Sequence, residues 1–193
     1  AVVAGCREEP PQSELDRFVE QYRELDRAAA IDTLRTVAQG SPPAATFAKY
    51  ELGNLFYAVA EDTAQARGWN DDAAKALLDS SEAWFLQAVA ADSTLVEGWV
   101  NLGAVWDSRA DMMAPRRERE AREANAEQMY LKALEIAPAD EKARCNLGSL
   151  YLRQRKTMEA KEQFTAVLEQ NPESALAHYH LAVMFAEARI YDE

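Results

Sequence analysis

Large apolar residues, small residues and helix-ending residues recur along this chain in one spacing. Between Glu141 and Ser174 they fall at Leu147-Gly148, Tyr151, Ala160, Phe164, Val167 and Pro172. Steps of three and four residues put the apolar positions on one face of an α-helix. The pattern breaks between Tyr151 and Ala160, which predicts two helices, A and B, joined by a turn. Pro172 ends helix B, because it lacks a backbone N–H and disfavours helix in the residue before it. Gly148 and Ala160 are small where A and B must cross closely, while Leu147, Tyr151 and Phe164 fill the space around the crossing.

The same spacing repeats upstream. In 96–140 helix A carries Trp99, Leu102-Gly103 and Trp106, helix B carries Ala126, Tyr130 and Ala133, and Pro138 closes the unit. In 46–95 helix A carries Leu52-Gly53 and Phe56, helix B carries Phe85 and Ala88, and Ser93 stands where the proline belongs. The unit 12–45 is the weakest. Leu15, Phe18, Tyr22, Ala38 and Pro43 fit it, but Val19, Ile31 and Arg35 occupy slots that elsewhere hold small, small and aromatic residues. A fifth unit opens at 175 with His178, Leu181-Ala182 and Phe185, and the sequence ends at Glu193 after its helix A. Helix 175–190 then either caps the array or is followed by further chain, and its match to an internal unit favours the second.

This spacing resembles the tetratricopeptide repeat (TPR). The resemblance implies an all-α, right-handed solenoid of antiparallel helix pairs over 13–193, preceded by a short segment 1–12. Such a pair cannot bury its apolar face alone, so units stack and leave a curved surface that binds other polypeptides. A protein or peptide partner is the expectation.

The resemblance also places the groove, because the second, fifth, ninth and twelfth positions of each helix A face the concave surface in this family. Here these are Ser13, Asp16, Glu20 and Arg23, then Phe47, Tyr50, Asn54 and Tyr57, then Glu97, Val100, Ala104 and Asp107, then Lys142, Cys145, Ser149 and Leu152. An acidic entrance leads to an aromatic and aliphatic middle, which suits a peptide with apolar anchors. Alternatively, Tyr50 and Tyr57 pack only against the next helix. One subfamily clamps its partner's C-terminal carboxylate with basic residues and asparagines. The chain resembles it at Asn54, Asn101 and Lys142, but Tyr50 and Asn146 stand where cations belong. Losing those cations removes most of the charge-assisted binding, so this function is rejected.

Units 46–95 and 96–140 exceed the regular length, and both insertions fall at the A–B turn. Arg67-Gly68 can end a helix, Asn70 and Asp71 can cap the next, and Pro115 fits a first turn. Two lengthened hairpins are therefore expected, with each insertion shared equally between its arms. They would form a ridge with Trp69, Met112 and Met113 near the tip, either as a second contact surface or only to pack the arms together.

Charge narrows the ligand class. The chain has 33 acidic and 21 basic residues, a formal net charge of −12. Nucleic-acid backbones need clustered cations and are excluded as partners. The arginines between Arg116 and Glu123 alternate with glutamates at helical spacing and read as a self-paired, solvated face.

At the N-terminus, Val3-Ala4-Gly5-Cys6 resembles the lipobox of bacterial lipoproteins, and the charged, proline-containing stretch after it suits a tether. The resemblance implies lipidation of Cys6 and a periplasm-facing protein of the cell envelope that touches membrane only through that anchor. If Cys6 is incidental, a cytoplasmic scaffold is the alternative, and the module of a longer enzyme is a third reading. Catalytic chemistry is not indicated. His178 and His180 point about 200° apart on a helix and cannot share a metal from one face. His178 sits in the tryptophan slot as a packing residue, and Cys145 has no histidine neighbour in sequence, so an inert thiol is expected. No cofactor is expected.

Overall fold

The computed structural model describes residue 19 and residues 25–191, with side chains to residue 186. Ser13, Asp16, Glu20 and Arg23, like Cys6 and the tether, lie outside the described residues. The described chain is eight helices without a strand: α1 (Arg27–Val37), α2 (Ala44–Arg67), α3 (Asp72–Ala91), α4 (Val96–Ala110), α5 (Arg116–Ile136), α6 (Glu141–Arg153), α7 (Thr157–Gln170) and α8 (Ala175–Tyr191). Helices pair as α2/α3, α4/α5 and α6/α7, and each B helix then packs on the next A helix. This is the expected solenoid of helix pairs.

The A–B crossing of each pair rests on one glycine and one ring. A Cβ built on Gly53 would lie 2.5 Å from the Phe85 ring, and at Gly103 and Gly148 it would lie still closer to the rings of Tyr130 and Phe164. All three rings are fully buried. In the first unit Arg35 takes the ring's slot and lies over the Phe56 ring, 5.8 Å from its centroid. Between units, Val100 packs with Ala126, Tyr130 and Leu147 in one core cluster, and Cys145 packs with Ala160, Phe164 and Ala177 in the next.

The first insertion lengthens both arms of its hairpin. Helices α2 and α3 have 24 and 20 residues, against 13 and 14 in α6 and α7. Gly68 ends α2 at φ 86°, a positive-φ backbone that glycine adopts without strain. Asp71 caps α3 by accepting from the Ala73 and Ala74 amides at 2.9 and 3.3 Å.

The second insertion is not shared equally, contrary to expectation. Helix α4 has 15 residues and α5 has 21, so α5 takes most of the extension. The cause lies at the turn. Met112, 8% exposed, drops into the core beside Ala60 and Leu78, so α4 must stop before it. The next amide, Met113 N–H, donates to Asn70 Oδ1 at 2.9 Å and ties this turn to the tip of α2/α3. Arg109 holds the arms together lower down, bonded to Glu82 and Asp79 of α3 at 2.6 Å each.

Candidate peptide-binding groove

The A helices α2, α4 and α6 line one concave side, and on it four residues form a continuous hydrogen-bonded chain across three units. Asn101 Nδ2 of α4 donates to Asn54 Oδ1 at 2.7 Å and to the Tyr50 hydroxyl at 3.3 Å, both on α2. Lys142 Nζ of α6 donates to Asn101 Oδ1 at 3.1 Å. Asn54, Asn101 and Lys142 are thus brought together, with Tyr50 completing the set. The grouping does not restore a carboxylate clamp: Lys142 is engaged by an amide oxygen, and a phenol fills the place of a second cation.

A second row runs parallel to the first. The Tyr57 hydroxyl lies 2.9 Å from Ser108 Oγ. Asp107 accepts from Tyr130 at 3.0 Å and from Arg153 at 2.5 Å. Burial pushes the Tyr57 phenol up to about 12, so it remains a donor at neutral pH. Burial also raises the Asp107 carboxyl, and Arg153 and Tyr130 pull it back. Tyr50 and Tyr57 are both half-buried: they pack on the core that contains Phe85, Leu102 and Val105, and their hydroxyls bond to the neighbouring helix α4.

At the start of α2, Phe47 and Tyr50 line a mostly apolar cleft of about 300 Å³ with Pro42, Pro43, Thr46 and Leu95. Further along, Glu61, Asp62, Gln65 and Trp69 line a second cleft of about 450 Å³. Partial desolvation raises the Glu61 carboxyl above the usual range, while a hydrogen bond from Tyr57 and the charge of Lys142 oppose the shift. Phe47, Tyr50, Asn54, Tyr57, Glu61 and Gln65 are three or four residues apart, one stripe of one helix.

Two expected groove residues are elsewhere. Val100 and Cys145, 1% and 0% exposed, belong to the cores between units. In α4 and α6 the fifth helix-A position is taken up by the core shared with helix B and the next unit, unlike Tyr50 at the fifth position of α2, and in α4 the sixth position, Asn101, meets Tyr50 and Asn54. Burial, reinforced by Glu141 and Asp140, pushes the Cys145 thiol up to about 12, so it is a packing group. Ser149 is at the groove edge, where its hydroxyl donates to the Cys145 carbonyl at 2.9 Å and lies 3.2 Å from His180 Nδ1. At the ridge the three expected contacts separate. Met112 is core, Trp69 rests partly on that core, and only Met113, 88% exposed, stands free.

Glu61, Gln65 and Arg153 were not foreseen as groove residues. The first two continue the stripe of α2 by one and two turns, and its lengthening was the available signal. No group of three or more His, Cys, Asp or Glu side chains suited to a metal occurs among the described residues. Nor is any described helix long and apolar enough to cross a membrane.

Residues 145–193 match the family model of the tetratricopeptide repeat. The crystal structure of MamA superposes with a TM-score of 0.61 at 14% identity, covering 94% of this chain and 88% of that one. The chain has the fold of a tetratricopeptide-repeat solenoid. The Arabidopsis OM64 TPR domain is also similar, with a TM-score of 0.50 at 14% identity over 72% of this chain and 98% of that domain. At such identities the likeness concerns the TPR fold. No curated protein matches the sequence significantly. The matching family model describes a repeat and names no catalytic domain.

Proposed function

We propose that this TPR-fold protein is an interaction scaffold that holds an extended polypeptide segment in its concave groove and so supports assembly of a multiprotein complex. The observation that carries this reading is the chain Tyr50–Asn54–Asn101–Lys142, two side-chain amides flanked by a phenol and an ammonium across three units, beside an apolar cleft. Amides can pair with a peptide backbone, and the cleft can bury a side chain of the same peptide. Peptides selected on the protein from a random library test it. Tyr50→Ala and Asn101→Ala should each weaken the selected peptides by about 1–3 kcal/mol, the range for interface hot spots. Unchanged affinity in variants that still melt cooperatively overturns the reading.

We further propose that the scaffold is lipid-anchored in a bacterial envelope through Cys6, facing the periplasm. Support comes from the Val3–Cys6 run and the charged stretch behind it. In a lipoprotein-processing host the native product should incorporate labelled palmitate and sediment with membranes, and Cys6→Ser should abolish both. A soluble, unlabelled wild-type product rules the anchor out.

A further inference from the structure

The lengthening of α2 does more than raise a ridge. In α6, of regular length, the groove-facing stripe ends at Ser149 and Arg153. In α2 it continues through Glu61 and Gln65 to the second cleft, whose far wall is Trp69. The insertion therefore extends the groove and adds a compartment made of an aromatic ring, an amide and two carboxylates. Asp62 also faces Arg27 at 3.4 Å on the solvent side, so Glu61 is the acid turned toward the groove and Lys142.

Charge along the groove has one sign in excess. Its cations are Lys142 and Arg153; Arg153 is paired with Asp107 at 2.5 Å, while Lys142 donates to the neutral Asn101 amide at 3.1 Å and keeps its charge. Its acids include Glu61, Glu97 and Asp107, and Asp92 stands on the rim of the apolar cleft. An anionic peptide would meet these carboxylates with Lys142 as the one cation not paired to an acid among the described groove residues, so the net field still opposes it. A lysine or arginine would meet Glu61 over the Trp69 ring, an ion pair combined with a cation–π contact.

Resting on the groove reading above, we infer that the occupant is an extended segment with a large apolar side chain seated between Phe47, Tyr50 and Leu95 and a lysine or arginine seated between Glu61 and Trp69. From Tyr50 to Glu61 the helix rises roughly 16 Å at 1.5 Å per residue, which an extended peptide spans in about five residues. The partner is thus a basic segment with an apolar anchor about five residues from its cation.

The experiment selects 12-residue peptides from a random library on the 193-residue chain and measures the winners by fluorescence anisotropy. Selected peptides should carry the apolar–cation pair at about that spacing. Replacing the cation with citrulline or glutamine should weaken binding roughly tenfold, as should Glu61→Gln or Trp69→Ser in the protein, and the peptide and protein changes should not add, because they remove one contact. Neutral or acidic winners that are sensitive to Tyr50→Ala overturn this inference and leave the groove standing. If no winner is sensitive to Tyr50→Ala, the groove reading itself fails, and this inference with it.

Discussion

The indole Nε1 of Trp99 donates to the backbone carbonyl of Ser93 at 3.0 Å. In the next unit Arg144 Nε reaches the Pro138 carbonyl at 2.8 Å, and in the fifth His178 Nε2 reaches the Pro172 carbonyl at 2.8 Å. Tryptophan, arginine and histidine share the slot because each offers an N–H six residues after the same carbonyl. His178 bonds within the junction but is exposed, so the packing expected from its place in the repeat is not what it supplies. The bond belongs to the carbonyl and not to the proline ring, which explains how Ser93 can replace the proline.

Two substitutions check this junction. Trp99→Phe keeps an aromatic ring but deletes the donor, and should lower stability by about 0.5–1.5 kcal/mol. Ser93→Pro should raise it by about 0.4–1 kcal/mol by restricting the unfolded chain. The preceding residue already allows it: Asp92 sits at φ −141°, ψ 99°, beside −128°, 86° for Ala137 and −131°, 86° for Asn171, both of which precede prolines. A fall in the denaturation midpoint for Ser93→Pro would show that the Ser93 N–H or its φ is needed.

The three glycine–ring crossings make a matched series. Gly103→Ala and Gly148→Ala should each cost about 1–3 kcal/mol, since the new methyl meets a fully buried ring that has nowhere to turn. Gly68→Ala is the contrasting control. There the space is open and only the positive-φ, extended backbone (φ 86°, ψ 156°) resists, so the penalty should be about 1–3 kcal/mol and should not grow with side-chain size. Gly148→Leu should be far worse than Gly148→Ala, whereas Gly68→Leu should resemble Gly68→Ala. Equal penalties for alanine and leucine at Gly148 would mean that the Phe164 ring yields.

These crossings were legible in the sequence because they rest on local spacing: a glycine at one helix position and a ring sixteen residues later, or further where an insertion intervenes. The caps at Gly68 and Asp71 were legible for the same reason. What the repeat register could not show was which way a residue near the boundary of the concave face turns. Val100 and Cys145 were expected in the groove, yet a shift of a fraction of a turn hands them to the next unit's core and brings Asn101 forward. Equal sharing of the second insertion failed because Met112 finds a site in the core of the neighbouring hairpin, a contact between insertions that neither insertion reveals alone.

His180 supplies a pH dependence. Its ring stacks on Phe164, centroids 5.1 Å apart, meets Tyr179 edge-on and lies beside Ser149, with no carboxylate among these partners. Burial therefore lowers its pKa from the ordinary 6.5. The folded chain takes up the proton less readily than the unfolded chain, so the contribution is intact above about 6.5 and is lost as pH falls from there through the folded value. Denaturation of wild type and His180→Gln from pH 8 to pH 5 isolates it. The stability difference between them should stay constant above pH 7 and shift against the wild type below it. A difference that does not change with pH would show that His180 titrates alike in both states.

The tie between the two lengthened hairpins gives the last test. Asn70 carries no apolar surface into the ridge, but its Oδ1 accepts the Met113 amide at 2.9 Å and so holds the α4–α5 turn in the position that sends Met112 inward. Asn70→Ala leaves that amide to water and should cost about 0.5–1.5 kcal/mol. The loss should also be local. Hydrogen exchange should speed up at Met113 and its neighbours in the turn, while amides across 58–66 and 73–80, held in the helical arms, should remain slow. If 58–66 and 73–80 exchange quickly even in the wild type, the arms are not stable helices, and the extension of the groove to Glu61 and Trp69 would lose its support. If instead the arms stay slow and Met113 is unchanged by Asn70→Ala, the turn is positioned by Met112 burial alone, and Met112→Ala becomes the substitution that should release it, at about 2–5 kcal/mol.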